Sequence, residues 1–373
     1  MLQVQWASHA ASVPATLWES CFSGVEGRWW YEALEDGGLE DQFEFAYAIL
    51  EKDGQPIGLA PTFIMNVPME LVVPPVIAKM LRVIPALRYQ RTLFVGSPCS
   101  DEGTIGLLPG HSLADILGPL QDALSLRAKA RNAAMTVWKD FAEEQKAAFE
   151  GLCATHGLFP MVSFPGTAVE LAPGGFEGYL KTLKSRHRYL LKKKLKHGLL
   201  PGALTVQIVQ QPDEKTLQEL YSLFLQTYEK GKTKFEKLTF EFFRQIALKP
   251  ESHFILLSDE KTGKMVAFML CFLLGDKAIN KFIGIDYQAD KQLHLYFQLW
   301  ERAVKWSYSV GATRLDSGQT GYRVKRELGH HLVALDCYCR HRNPLLNRVF
   351  GAVAKGITWQ SLDPDLQTMA EEQ

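Results

Sequence analysis

The chain has 373 residues, of which 47% are hydrophobic and 22% are charged, and its formal net charge is zero. This length suggests about two domains of ordinary size, and the composition excludes a disordered chain and a collagen-like fibre. No apolar run reaches the roughly 18 residues of a membrane span, the start lacks a secretory signal, and six cysteines suggest no disulfide framework, so we expect a soluble cytoplasmic protein.

The hydrophobic periodicity predicts an α/β chain that passes twice through one order of elements. In the first pass, strands are predicted at residues 2–6, 45–51, 56–65, 92–95, 134–138 and 167–171. Helices are predicted at residues 15–21, 29–39, 113–130 and 144–155. An insertion that contains Pro68, Pro74, Pro75 and Pro85 interrupts this pass.

The second pass shows clearer signals. Strands are predicted at residues 204–209, 253–258, 265–274, 278–285, 313–316 and 332–340, and helices after Asp213 and at residues 238–247, 293–309 and 322–328. Both passes share a strand, polar turn and strand, at residues 46–58 and 253–267. A duplicated unit with two similar mixed sheets is therefore predicted.

A basic segment separates the two passes. Residues 174–198 contain eight lysine and arginine residues against one acid, Glu177, and leucines recur between the cations at helical spacing. This predicted helix either faces an anionic ligand or is an ordinary solvated face. The net charge is −9 up to residue 170 and +9 beyond it. That asymmetry suits anionic ligands in the second half, unless the two halves neutralise one another.

Two groups of residues resemble the motifs of a known family. The basic segment contains Tyr179, Leu180, Leu183, Ser185 and Arg188, followed by Lys192, Lys193 and Lys194. The second group consists of Ala303, Gly311, Leu315-Asp316-Ser317-Gly318, Tyr322, Lys325 and Gly329. With the order of elements, these motifs resemble the GNAT acyltransferase unit. Two such units in tandem resemble the Fem-type aminoacyltransferases of peptidoglycan bridge synthesis.

The resemblance implies an α/β fold of two tandem GNAT-like units, each a mixed, mostly antiparallel sheet flanked by helices. It divides the chain into a scaffold unit at residues 1–172, a basic linking helix at 173–199, a site-bearing unit at 200–342, and a C-terminal helix and tail at 343–373. The implied activity is transfer of an acyl or aminoacyl group from an activated carrier to a small-molecule amine or a peptide.

The resemblance also implies that the second sheet splits between its fourth and fifth strands. Asp286 and Asp316 end those strands and are expected to hold or deprotonate the acceptor amine, while Lys325 steadies negative charge. The candidate substrate contacts are Tyr228, Tyr322 and Arg188. Alternatively, the aspartates cap helices or loops, Lys325 forms a surface cluster with its neighbours, and Tyr228 is half-buried packing.

The carrier stays open at this point. Lys192, Lys193, Lys194 and Gln288 are the candidate contacts for it. GNAT enzymes bind the coenzyme A pyrophosphate at a glycine-rich helix start, whereas residues 288–293 read Gln-Ala-Asp-Lys-Gln-Leu here. Acyl-CoA is retained as one candidate cosubstrate, beside a carrier protein and an aminoacyl-tRNA.

Metal and thiol chemistry are not expected. Cys337 and Cys339 alternate along a strand beside His341, which indicates a core face, and His330-His331 is the only other ligand pair nearby. Cys153 and His156 are interpreted as packing.

Two other classes of function stay open. One is a non-catalytic, GNAT-like protein that binds an anionic ligand, which the missing pyrophosphate motif favours. The other is an RNA-binding module centred on the basic helix, although no exposed aromatic platform accompanies that helix in the sequence.

Overall fold

The computed structural model describes residues 2–68, 89–198, 200, 203–231 and 236–371. They form two compact units, the first comprising Met1–Glu35, Leu39–Pro165 and Val333–Gln373, and the second Asp36–Gly38 and Gly166–Leu332. Except for Pro68, the predicted proline-containing insertion lies outside the described residues. In the described parts of the chain, no helix has both the length and the hydropathy that a bilayer crossing requires.

The first unit is built on one mixed sheet. Its strands are β1 (Leu2–Ala7), β2 (Glu44–Lys52), β3 (Gln55–Pro68), β4 (Tyr89–Val95), β5 (Gly106–Leu107), β6 (Met135–Ala142), β7 (Phe159–Val162) and β15 (Leu335–His341). Its helices are α1 (Ala15–Cys21), α2 (Arg28–Glu35), α3 (Leu113–Ala130), α4 (Lys146–His156), α12 (Pro344–Ala354) and α13 (Pro364–Glu371). The strand order is β1-β2-β3-β4-β6-β15-β7, with β5 beside β3. Among the described strands of this sheet, only β4 and β6 pair in parallel.

The second unit contains a sheet of the same kind. Its strands are β8 (Gly166–Glu170), β9 (Leu204–Val209), β10 (Ser252–Asp259), β11 (Met265–Leu274), β12 (Lys277–Ile285), β13 (Arg314–Asp316) and β14 (His331–Val333). Its helices are α5 (Gly175–Thr182), α6 (Ser185–Leu195), α7 (Glu214–Lys230), α8 (Phe240–Ala247), α9 (Tyr287–Leu293), α10 (Leu295–Ser309) and α11 (Tyr322–Glu327). The strand order is β9-β10-β11-β12-β13-β8-β14, in which β12 and β13 pair in parallel.

The predicted duplication is confirmed by the pairing pattern of the two sheets. In each sheet, four successive antiparallel strands are followed by one parallel step and then by another antiparallel step. Two residues beyond the last parallel pair, the backbone adopts a left-handed conformation in both sheets, at Asp140 (φ 60°) and Gly318 (φ 69°). The two units therefore repeat a local backbone feature as well as an element order.

The last strands depart from the expectation. The strand predicted at residues 332–340 was assigned to the second unit, but β15 lies in the first sheet, between β6 and β7. Conversely, β8 follows the first pass along the chain but pairs with β13 in the second sheet. Only Ala334 separates β14 from β15. Because the shortest common hairpin needs two loop residues, the chain cannot fold back there and continues into the other sheet.

One predicted helix is interrupted, and another is preceded by a separate short helix. The basic segment forms α5 and α6, with Leu183 extended between them (ψ 142°). The helix predicted at residues 293–309 is preceded by α9, and His294 separates α9 from α10 in a left-handed conformation (φ 53°).

The core of the second unit fixes helix α10 against the sheet. Leu299, Trp300 and Ala303 of α10 are fully buried in one cluster with Leu315 of β13. Burial of each large apolar side chain contributes roughly 1.5 to 3 kcal/mol. This packing holds β13 and the chain that follows it at a defined place.

The position of β15 makes a testable prediction. A chain that ends at Leu332 lacks a strand that is paired on both sides, so amide exchange should accelerate in β6 and β7 of the first unit. The core of the second unit should keep its protection. A chain that ends at Arg342, which keeps β15, is the control. Loss of protection confined to the second unit would contradict the observed pairing.

Candidate functional site

The second sheet splits where its two parallel strands stop pairing. β12 and β13 pair over three residues, from Lys277 with Arg314 to Ile279 with Asp316. β12 then continues for six residues, whereas the chain leaves β13 and the Ser317 amide donates to the Thr167 carbonyl of β8 at 2.9 Å. The split expected between the fourth and fifth strands of the unit therefore opens beside residues 280 and 317.

Asp316 lies at this split, on one face of the sheet. Its carboxylate is largely buried and pairs with Arg314 Nε at 2.6 Å and with Lys277 Nζ at 3.6 Å. Arg314 is two residues away on the same strand and Lys277 is on the adjacent strand, so the three side chains share a face. Any chemistry at Asp316 therefore involves a carboxylate already held by two cations.

Lys325 anchors the turn that follows Asp316. It lies on α11, is 6% exposed, and its ammonium donates to the carbonyl oxygens of Ser317 and Gly318, the latter at 3.2 Å. Tyr322, at the start of the same helix, is almost fully buried. The alternative of a surface cluster around Lys325 does not fit this burial, and Lys325 instead binds the turn that directly follows Asp316.

A hydrogen-bonded group on the opposite face was not predicted. Ser317 Oγ lies 3.0 Å from Asn280 Nδ2 and 3.0 Å from His330 Nε2, and His330 Nδ1 lies 2.7 Å from the Lys325 carbonyl oxygen. Asn280 interrupts an apolar strand beside a β-bulge opposite Leu270 and Cys271. Bulges are frequent next to active sites. The sequence signal for this one was a polar residue, Asn280, within an otherwise mostly apolar strand.

Burial keeps His330 neutral. Desolvation lowers the pKa of His330 to about 3, and the nearby positive charge of Lys325 acts in the same direction. A carbonyl oxygen can only accept, so the Nδ1 that faces Lys325 carries the proton and Nε2 accepts from the Ser317 hydroxyl. The ring lies 4.6 Å from that of Trp300, whose Nε1 donates to the Tyr179 hydroxyl at 2.9 Å.

Asp286 has a different environment from Asp316. It ends β12 at the far side of the split and caps α9, accepting from the amides of Gln288 at 2.9 Å and Ala289 at 3.3 Å. Lys264 Nζ lies 2.9 Å from its other oxygen. Burial alone would raise the pKa of Asp286, but these hydrogen bonds outweigh burial and lower it. The geometry is that of the capping alternative, and its catalytic role stays a prediction.

The helix starts near Asp286 carry their own carboxylates. Asp286 occupies the amides at the start of α9, and Asp290 Oδ1 accepts from the Leu295 amide at the start of α10, at 2.7 Å. Gln288 is exposed, and its side-chain oxygen accepts from Lys291 at 3.1 Å. Amides that bind phosphate elsewhere are therefore already paired with carboxylates here.

The basic segment forms an exposed groove on α6. Tyr189, Lys192, Lys193, Lys196, His197 and Leu200 line a volume of about 610 Å³. Lys192 lies 3.7 Å from Glu177, whereas no carboxylate of the described residues pairs with Lys193 or Lys196. Tyr189 and Leu200 are exposed, which places an aromatic and an apolar side chain among the cations.

The remaining predicted contacts are more buried. Lys194 pairs with Glu327 at 3.7 Å and lies over the Phe297 ring at 3.7 Å. Arg188 reaches the Leu180 carbonyl at 3.5 Å, and Tyr228 is half-buried on α7, 6.2 Å from the Phe224 ring. Lys194, Arg188 and Tyr228 are therefore not among the residues that line the exposed groove.

The thiols lie in apolar surroundings. Cys337 and Cys339 pack with Met135 and Val137 in the first unit, and burial raises the pKa of Cys337 to about 12. Burial also raises the pKa of Cys153 to about 11, which disfavours a nucleophilic thiolate. Within the described residues, no cluster of three or more His, Cys, Asp or Glu side chains is arranged to hold a metal ion.

Comparisons with known proteins agree with this fold. Residues 169–352 match the FemAB_like family model, described as "Peptidogalycan biosysnthesis/recognition". Among solved structures, FemX has a TM-score of 0.58 at 12% identity over 86% of this chain and 93% of its own. L-PGS from Bacillus licheniformis has a TM-score of 0.54 at 13% identity, over 86% and 92% of the two chains.

A third similar structure has two GNAT units. The tandem GNAT protein from the clavulanic acid biosynthesis pathway has a TM-score of 0.53 at 9% identity, over 92% of this chain and 99% of its own. No curated protein matches the chain. At these identities the similarity shows the fold, and the matched residues 169–352 include the split, α6 and the groove.

Substitutions at Asp286 separate capping from catalysis. Asp286→Ala should lower the free energy of unfolding by about 1 kcal/mol because α9 loses its cap, whereas Asp286→Asn keeps the accepting oxygen and should change it little. Denaturant unfolding measures both. If Asp286→Asn is stable but turns over a verified substrate slowly, the carboxylate has a catalytic role; equal activity would exclude one.

The pKa of His330 predicts a pH dependence of stability. Between pH 3 and pH 6.5 the unfolded chain binds more protons than the folded one, since the pKa falls from 6.5 to about 3 on folding. The stability contributed by neutral His330 is thus present above pH 6.5 and is lost on acidification, with a slope of up to about 1.4 kcal/mol per pH unit.

His330→Gln should flatten this dependence for the second unit between pH 6.5 and pH 4.5. Denaturant titration at several pH values measures the slope, and His331→Gln, at the exposed neighbouring histidine, is the matched control. Identical slopes for the wild type and His330→Gln would contradict the buried, neutral state of His330.

Proposed function

We propose that this chain, a tandem GNAT-fold relative of the FemAB-like proteins, transfers an acyl or aminoacyl group from an activated carrier to an amine. The observation that carries the proposal is the sheet split of the second unit, where Asp316 ends β13 and Lys325 of α11 donates to the turn that follows it, all within the matched residues. The split between β12 and β13 can hold an extended acyl-carrier arm. Asp316 and Lys325 would then lie next to the reacting atoms.

The groups at the split suit this chemistry. Aminolysis of an acyl carrier needs a neutral amine, a polarised acyl carbonyl and a proton for the leaving group. In this proposal, Asp316 holds the incoming ammonium and accepts its first proton, which passes to solvent. The neutral amine then forms the amide bond, the acyl–carrier bond breaks, and a second proton from the nitrogen goes to the departing oxygen or sulfur of the carrier. Lys325 fixes the backbone of Ser317 and Gly318 and contributes positive charge next to the developing oxyanion.

The surroundings of α9 and α10 favour a carrier other than coenzyme A. Asp286 and Asp290 occupy the helix starts where a pyrophosphate would bind and would repel it. The groove around Lys193 and Lys196 offers cations beside an exposed tyrosine instead. We therefore favour an aminoacyl-tRNA as donor. The family description names peptidoglycan, so a peptidoglycan-precursor amine is the first acceptor to test.

A non-catalytic role is the second candidate. The same capped helix starts and the same exposed lysines suit a protein that binds an anionic ligand without transferring a group. Incubation with radiolabelled aminoacyl-tRNA or acyl-CoA and an amine acceptor distinguishes the two. Labelled product requires catalysis, whereas retention of the donor without product supports the binding protein.

Asp316→Asn should lower turnover by about 10²- to 10⁴-fold, the usual contribution of a positioned acid–base group. The side chain keeps its shape, so the Michaelis constant of the donor should change little. Asp276→Asn, at an exposed carboxylate at the turn before β12, is the control and should retain activity. Full turnover by Asp316→Asn would remove Asp316 from the mechanism.

Lys193→Gln and Lys196→Gln should weaken binding of an aminoacyl-tRNA and lower the slope of log K against log salt by about 1 for each lysine. Filter binding at several salt concentrations measures this slope. Lys215→Gln and Lys261→Gln, at exposed lysines of the same unit, are the controls. Unchanged affinity and slope would mean that the groove is a solvated face.

A further inference from the structure

Ser317 is held by hydrogen bonds to both its main chain and its side-chain hydroxyl. Its main-chain amide donates to the Thr167 carbonyl at 2.9 Å, and its own carbonyl accepts from Lys325. Its side chain contacts Asn280 Nδ2 and His330 Nε2, each at 3.0 Å. The residue is 6% exposed and sits where β12 and β13 stop pairing.

The partners of Ser317 determine which way its hydrogen points. The Nδ1–H of His330 donates to the Lys325 carbonyl, so Nε2 can only accept and takes the Ser317 hydrogen. Asn280 donates an amide hydrogen to Ser317 Oγ. The hydroxyl thus has no hydrogen left to donate, and one lone pair remains.

This arrangement selects the kind of group that Ser317 can bind. An acceptor-only oxygen attracts an N–H or O–H group and repels an acyl carbonyl, a carboxylate or a phosphate oxygen. We infer that Ser317 binds an N–H hydrogen of the acceptor amine at the split and orients the nitrogen lone pair, and that His330 is the positioning residue that keeps Ser317 an acceptor. The inference rests on the proposed amine transfer.

The packing around His330 supports a fixed direction of the hydrogen bond from the Ser317 hydroxyl to His330 Nε2. Trp300 lies against the His330 ring, and Tyr179 donates to the Leu328 carbonyl at 2.8 Å, two residues before His330. The low pKa of His330 prevents the imidazolium that would reverse the hydrogen bond. The same low pKa argues against Ser317 as a covalent nucleophile, since His330 is a poor base for its proton.

Four variants test the inference through the substrate constants. Ser317→Ala should raise the Michaelis constant of the amine by roughly tenfold or more, the effect of one lost hydrogen bond, and leave that of the donor unchanged. His330→Asn can still donate to the Lys325 carbonyl but cannot reach Ser317, so it should behave like Ser317→Ala. His330→Gln can accept from Ser317 and should recover most of the amine affinity lost in His330→Asn. Asn280→Ala should show an intermediate loss.

The outcomes distinguish a positioning role of His330 from a purely structural one. Unchanged amine constants in Ser317→Ala and His330→Asn would overturn the inference, as would equal losses in His330→Asn and His330→Gln with both variants folded. An acyl group trapped on Ser317 during turnover, detected by mass spectrometry, would overturn it in favour of a covalent mechanism.

A second measurement does not depend on transfer. Nitrogen-15 NMR of the full chain should show His330 protonated at Nδ1 and unprotonated at Nε2 from pH 5 to pH 8, and methylamine should perturb the Nε2 resonance. An Nε2–H tautomer, or no response to methylamine, would overturn the inference. If the wild type transfers to no amine while both NMR results hold, the proposed function fails and the assigned polarity of Ser317 stands.

Discussion

The early end of one parallel strand pair organises the second unit. β12 and β13 share only three residue pairs, after which backbone groups at the split need partners from elsewhere. Thr167 of β8 takes the Ser317 amide, and Lys325 takes the carbonyl oxygens of Ser317 and Gly318. A buried ammonium is costly unless it is hydrogen-bonded. The two carbonyl oxygens that need a donor therefore also stabilise the buried ammonium of Lys325.

The two faces of the sheet beside the split carry different kinds of polar group. One face carries the Asp316 carboxylate, which is paired with the two cations Arg314 and Lys277. The other carries Ser317, Asn280 and a neutral histidine, in which each hydrogen bond has one permitted direction.

The capped helix starts explain how a GNAT-like unit can lack the glycine-rich phosphate motif without leaving its helices unsatisfied. Asp286 and Asp290 provide to α9 and α10 the negative charge that a bound phosphate provides elsewhere. The exposed lysines Lys193 and Lys196 lie instead on α6 and directly after it.

The sequence by itself indicated the element types and the duplication through hydrophobic periodicity. It indicated the segment from Asp316 to Lys325 through the resemblance of that segment to the GNAT motifs. It could not determine which sheet receives β8 and β15, since strand pairing is a long-range choice and both strands are apolar on one face. It did not predict that Ser317, Asn280 and His330 form one hydrogen-bonded group. These residues are far apart or separated by a helix in the chain, and only the tertiary structure brings their polar atoms within hydrogen-bond distance in a buried site.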